Sequence, residues 1–174
     1  MEVLEVALAD FDGHAEFQTD DISSASGTLD VVSGGKACQG RRQYGLPALI
    51  ETVNVARLDT LIESGRLPAP NVIKVDVEGA EERLLRGAIR TLETYSPGLV
   101  IEHHGVEASR AVVRFLHSIG YHVFGYLNTE NGANYKEIMT GDIDEITGMY
   151  SLQHCVACRD PSCLQSPIMR RLES

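Results

Sequence analysis

Residues 71–92 constrain the fold of this chain more than any other stretch. Val72, Ile73 and Val75 form a short apolar run, which predicts a parallel strand buried on both sides. Asp76 falls where that strand should end. Gly79 permits a tight turn, and Ala80, Leu84, Leu85, Ala88 and Leu92 then recur at helical spacing. Glu81 and Glu82 sit in the first turn, where the helix dipole favours negative charge. A buried strand turning into an amphipathic helix reads as α/β. Ligands in open α/β sheets bind beyond the carboxyl ends of the strands, which puts Asp76 and Glu78 where chemistry is expected.

The flanking segments extend this pattern. Val3–Ala9 reads as a strand, Asp10-Phe-Asp-Gly13 as a hairpin turn, and Ala15–Gln18 as the returning strand. Thr19 to Pro47 is polar and weakly periodic, and reads as a long loop that either covers a site or is a plain surface insertion. Glu51–Ala56 alternates as a strand, and Leu58–Glu63 forms a short helix stopped by Gly65. Leu99–Glu102 is the next core strand. Ala108, Ala111, Val112, Phe115, Leu116 and Ile119 mark an amphipathic helix ended by Gly120. Tyr121–Leu127 is a strand, residues 128–134 a turn-rich loop, and Gln153–Cys158 the last strand.

At 174 residues the chain fits one domain. Its formal net charge of -10 argues against nucleic acid as a partner, because phosphate binding needs a basic footprint. No apolar run reaches the length of a membrane span, so no membrane partner is expected. The first residues do not read as a signal peptide, and the expected setting is cytoplasmic. Ser33-Gly-Gly-Lys36 lacks the spacing of a phosphate loop and the Ser/Thr after its lysine.

Several side chains carry alternative readings. Asp76 either caps the following helix or orients a substrate hydroxyl, takes its proton or holds a metal. Glu78 and Glu81 either join it or answer the helix dipole, and no nearby histidine completes a metal set with these three. Glu102 and His104 should share one face of their strand, with His103 on the other. An imidazole there suits removal of a hydroxyl proton, while the plainer reading is a pair of partly exposed loop histidines. Cys155, Cys158 and Cys163 have the beginnings of a zinc spacing, but no second pair completes it, and reduced thiols are expected. No metal site is therefore assigned.

Lys74-Val-Asp-Val-Glu-Gly-Ala-Glu81 with Leu85-Arg-Gly-Ala88 resembles the signature of the FkbM-type methyltransferases. Val6-Ala-Leu-Ala-Asp10 with Asp12-Gly13, Arg57-Leu-Asp-Thr-Leu61 and Leu99-Val-Ile-Glu-His-His104 resemble further family segments in order and spacing. The resemblance spans roughly residues 3 to 127. It implies a Rossmann-like class I sheet, S-adenosylmethionine as cofactor, and O-methylation of a small-molecule or sugar hydroxyl. It further implies a catalytic role for Asp76, with Glu78, Glu102 and His104 beside it. Ala7, Leu8 and Asp10 would lie near the cofactor's adenine. On this basis residues 1–159 form a partial methyltransferase domain and residues 160–174 a tail.

The chain departs from the family at its start, where Met1 comes one residue before what resembles the third strand. The Gly-rich cofactor turn and the two strands that belong between the third and fourth are not in the sequence. Val3–Ala9 and Val72–Asp76 are then not natural neighbours, and the gap exposes unpaired strand edges. An upstream segment of a longer protein, a rearrangement, or a second copy in a homo-oligomer would close it. The rival to an enzyme is a non-catalytic remnant or interaction module that keeps the scaffold and has lost the cofactor site.

Overall fold

The strand and turn expected at residues 71–92 form, but the helix after them is broken in two. The computed structural model describes residues 2–19, 28–29, 41, 43–47, 49–129, 132–146 and 152–164. Its strands are β1 (Ala7–Leu8), β2 (Gly13–Thr19), β3 (Thr28–Leu29), β4 (Leu49–Ala56), β5 (Val72–Val75), β6 (Gly98–Glu102), β7 (His122–Thr129), β8 (Gly132–Glu137) and β9 (Leu152–Cys158). Its helices are α1 (Leu58–Glu63), α2 (Glu81–Arg86), α3 (Ile89–Tyr95) and α4 (Val106–Ser118). The architecture is mixed α/β, and the chain divides into two compact units, Met1–Pro68 with Val77–Arg90, and Ala69–Asp76 with Thr91–Ser174.

The first unit carries a sheet in the order β1-β4-β2-β3. β1 is far shorter than the strand expected over Val3–Ala9, and the expected hairpin does not form. Instead β4 lies between the two, parallel to β1 and antiparallel to β2. The Asp10–Gly13 turn is held from α1: Asp12 accepts hydrogen bonds from Arg57 N at 2.9 Å, Arg57 Nε at 2.8 Å and Thr60 Oγ1 at 3.0 Å. Ala9, Leu29 and Val55 form a small core. Most of the long segment 19–47 lies outside the described residues.

Gly87 is where the expected long helix divides. A Cβ there would stand 1.9 Å from the carbonyl oxygen of Ala9, so only glycine admits the approach. Its own carbonyl accepts a hydrogen bond from Asp59 N at 3.0 Å. The apolar face survives the break, since Leu84, Leu85, Ala88 and Leu92 are all buried.

The second unit holds a sheet in the order β5-β6-β9-β7-β8, with β5 parallel to β6 and the rest antiparallel. One face is core: Val75, Leu99, Ile101, Val123 and Ala157 are buried on it. Val112, Phe115 and Leu116 of α4 are buried as the apolar spacing predicted, and Val113 is buried with them. Gly120 takes φ 78° and closes α4. The other face is open, with Val72 65% and Val100 42% exposed. β5 was expected to be buried on both sides. Only one of its faces is: Val75 is buried while Val72 and Lys74 are exposed on the face that β6 also leaves open at Val100. Residues 128–129 and 132–134, expected in a loop, are strand instead: Thr129 of β7 pairs with Gly132 of β8. β1 and β5 lie in different sheets. Among the described residues, no helix is long and apolar enough to cross a membrane.

Candidate active site

The parallel register of β5 and β6 builds the site. Lys74 lies opposite Val100 and Val75 opposite Ile101, so Asp76 emerges beside Glu102 at the carboxyl ends of the two strands. Alternation puts Lys74, Asp76, Glu102 and His104 on the open face, and Val75, Ile101 and His103 on the core face. Antiparallel pairing places His154 of β9 directly opposite Glu102.

Asp76, Glu102 and His104 each offer a ligand atom, and these atoms all lie within 4.8 Å of one another. Lys74 Nζ donates to Asp76 Oδ2 at 2.7 Å, while His104 Nε2 stands 3.8 Å from Asp76 Oδ1. The Lys74 hydrogen bond holds the Asp76 carboxyl below its usual range, with smaller help from His104 and His154. The same bond raises the Lys74 ammonium. Asp76 is thus a firmly ionised acceptor: it orients a hydroxyl or a cation better than it takes up a proton. An imidazole is the group in this cluster suited to receive a hydroxyl proton.

Other sequence-selected residues go elsewhere. Asp76 does not cap α2, whose N-cap residue is Ala80 with no side-chain cap. Glu81 is fully buried, and its Oε1 accepts the Gly79 N–H at 2.9 Å, which is the turn role weighed for it. Glu78 is outside the three-residue group and takes φ 48°, a left-handed backbone conformation that non-glycine residues rarely adopt. His103 is buried against Cys155, Nε2 to Sγ 3.1 Å. Burial lowers the His103 imidazole to about 4 and raises the Cys155 thiol to about 12, so both are neutral near pH 7. Cys155 and Cys158 are buried and form no disulfide among the described residues. The side chain of Cys163 lies outside the described ones.

Near the start of the chain, Ala7 lines a cavity of about 480 Å³ together with Glu5, Phe17, Glu51 and Asn54. Leu8, half-buried, does not line it. Asp10 is engaged by Arg83 at 2.9 Å, and the Arg83 guanidinium also lies over the Phe11 ring.

Sequence reasoning missed Lys74 and His154. Lys74 was legible in principle, since a residue two before Asp76 on a strand must share its face. His154 was not, because the β6–β9 pairing joins segments some fifty residues apart.

Residues 1–123 match the model of the methyltransferase FkbM domain. Over 86 residues the chain is 35% identical to the hexuronic acid methyltransferase AglP of Haloferax volcanii, an alignment covering 49% of this chain and 36% of that protein. The chain thus spans about a third of the length of that relative. A solved structure of methyltransferase FkbM from Methylobacillus flagellatus aligns with 62% of this chain and 23% of that one, at 22% identity and a TM-score of 0.36.

Proposed function

This chain belongs to the methyltransferase FkbM domain family, and we propose that it transfers a methyl group from S-adenosylmethionine to an oxygen of an acidic sugar. The observation that carries the reading is the convergence of Asp76, Glu102 and His104 at the ends of adjacent parallel strands. The acceptor class is supported by the hexuronic acid named for the AglP relative.

The residues near Ala7 suit an adenosine. Among those lining its cavity, Phe17 offers a ring, Asn54 an amide, and Glu5 and Glu51 carboxylates for ribose hydroxyls. Of the three residues expected at the cofactor, Ala7 lines this cavity, whereas Leu8 does not and Asp10 is engaged by Arg83. When bound, S-adenosylmethionine supplies an electrophilic methyl carbon and leaves as S-adenosylhomocysteine. The protein's part is to align the attacking oxygen and remove its proton. Asp76 orients the acceptor hydroxyl through its ionised carboxylate, and His104 or Glu102 receives the proton. Glu78 supports the turn behind Asp76.

The sheet is completed beside β5 by a second copy of this chain or by an upstream segment. The exposed edge of β5 supports this. A cytoplasmic setting accords with Cys155 and Cys158 forming no disulfide among the described residues. Calorimetric titration with S-adenosylhomocysteine tests the cofactor assignment. One binding event per chain is expected. A folded chain that does not bind would leave the non-catalytic reading in its place.

A further inference from the structure

We propose that Asp76, Glu102 and His104 together bind a divalent first-row metal ion, which draws the acidic acceptor onto the open face of the β5–β6 pair. Around Asp76 the sequence suggested a metal set only with Glu78 and Glu81, with no histidine to complete it. The fold assembles a different one, taking its imidazole from the next strand. Its ligand atoms lie within 4.8 Å of one another. The 3.8 Å between His104 Nε2 and Asp76 Oδ1 is beyond hydrogen-bond length. Two ligands each about 2.1 Å from one ion stand roughly 3 to 4 Å apart, so this gap suits a shared cation.

Charge points the same way. Asp76 and Glu102 bring two negative charges and Lys74 offsets one of them, so the cluster stays net negative and a divalent ion would reverse its sign. Without such an ion, an acidic sugar would meet an acidic cluster on a chain of net charge -10. Lys74 covers Oδ2 of Asp76, whereas Oδ1 faces His104. The Lys74 side chain is itself 62% exposed and has room to swing away. The mixed donor set, two carboxylates with one imidazole, favours Mn²⁺ or a similar ion over Ca²⁺. An ion held by these three ligands would keep positions open for water and for an acceptor oxygen and would acidify a hydroxyl bound there. With the ion in place Glu102 and His104 serve as ligands rather than as proton acceptors, and the hydroxyl's proton would leave through ion-bound water to solvent.

The acceptor half of this proposal rests on the function proposed above, but the ion site does not. The test is titration of the whole chain with Mn²⁺, followed by electron paramagnetic resonance, without S-adenosylmethionine. One site per chain is expected. His104→Ala and Glu102→Gln should each weaken it at least tenfold, and Lys74→Met should tighten it by removing a competing cation. No binding by the folded wild type, or equal binding by all variants, would overturn the proposal. Binding of S-adenosylhomocysteine in the presence of a chelator reports separately on the methyltransferase reading. Cofactor binding without Mn²⁺ binding would therefore reject the ion site alone.

Discussion

His104 Nε2 faces Asp76 Oδ1 across 3.8 Å at the ends of two adjacent parallel strands, while Lys74 holds the opposite oxygen of the same carboxylate at 2.7 Å. Asp76 is thereby kept ionised and pointed. Asp76→Asn preserves its shape and removes its charge. It should lower kcat by roughly 100-fold or more, the scale of a lost proton-transfer or orienting group. Its affinity for S-adenosylhomocysteine should be unchanged. Steady-state kinetics beside calorimetry separates the two effects.

Gly87 should be among the least replaceable positions of the first unit. A Cβ would meet the Ala9 carbonyl at 1.9 Å, and backbone on both sides must move to admit it. Gly87→Ala should cost about 3 kcal/mol, at the upper end of overpacking losses. Gly120→Ala meets no atom within 4 Å and suffers only its positive φ. It should cost about 1 kcal/mol. Urea unfolding of the two variants ranks them.

His103 should make the fold acid-sensitive. Its folded imidazole titrates at about 4 because of burial, against an ordinary value of 6.5. Below pH 6.5 the unfolded chain takes up a proton that the folded chain refuses. Stability is therefore full above pH 6.5 and falls as the pH drops towards 4. Each unit of displacement is worth about 1.4 kcal/mol, so the loss approaches roughly 3 kcal/mol. Thermal unfolding between pH 7 and 4 should show a steeper fall in Tm for the wild type than for His103→Gln.

The outer edge of β5 should mediate self-association. Val72 is 65% exposed beside an edge that no other strand covers among the described residues. Sedimentation should show a dimer, and Val72→Lys should shift it to monomer, because a charge on an edge strand opposes pairing. A wild-type monomer would contradict pairing through this edge.

Much of this fold is readable from local pattern. The apolar spacing of Val112, Phe115 and Leu116 locates α4, and period-two alternation is enough to separate Glu102 and His104 from His103. What local pattern loses depends on long-range register. β4 enters between β1 and β2, and β9 between β6 and β7, and no local signal reports such insertions. The break at Gly87 is hidden because apolar spacing continues through it, and its cause lies in Ala9, far away in the chain. Residues 128–134 read as a loop because turn residues outnumber apolar ones there, yet strand pairing extends β7 to Thr129 and starts β8 at Gly132.

The most direct test of the central claim is transfer of labelled methyl from S-adenosylmethionine to a uronic acid-containing glycan, comparing the wild type with Asp76→Asn. The account predicts label in the glycan with the wild type and at least a roughly 100-fold slower rate with the variant, with S-adenosylhomocysteine affinity equal within about twofold. An Asp76→Asn enzyme that transfers methyl as fast as the wild type would contradict it.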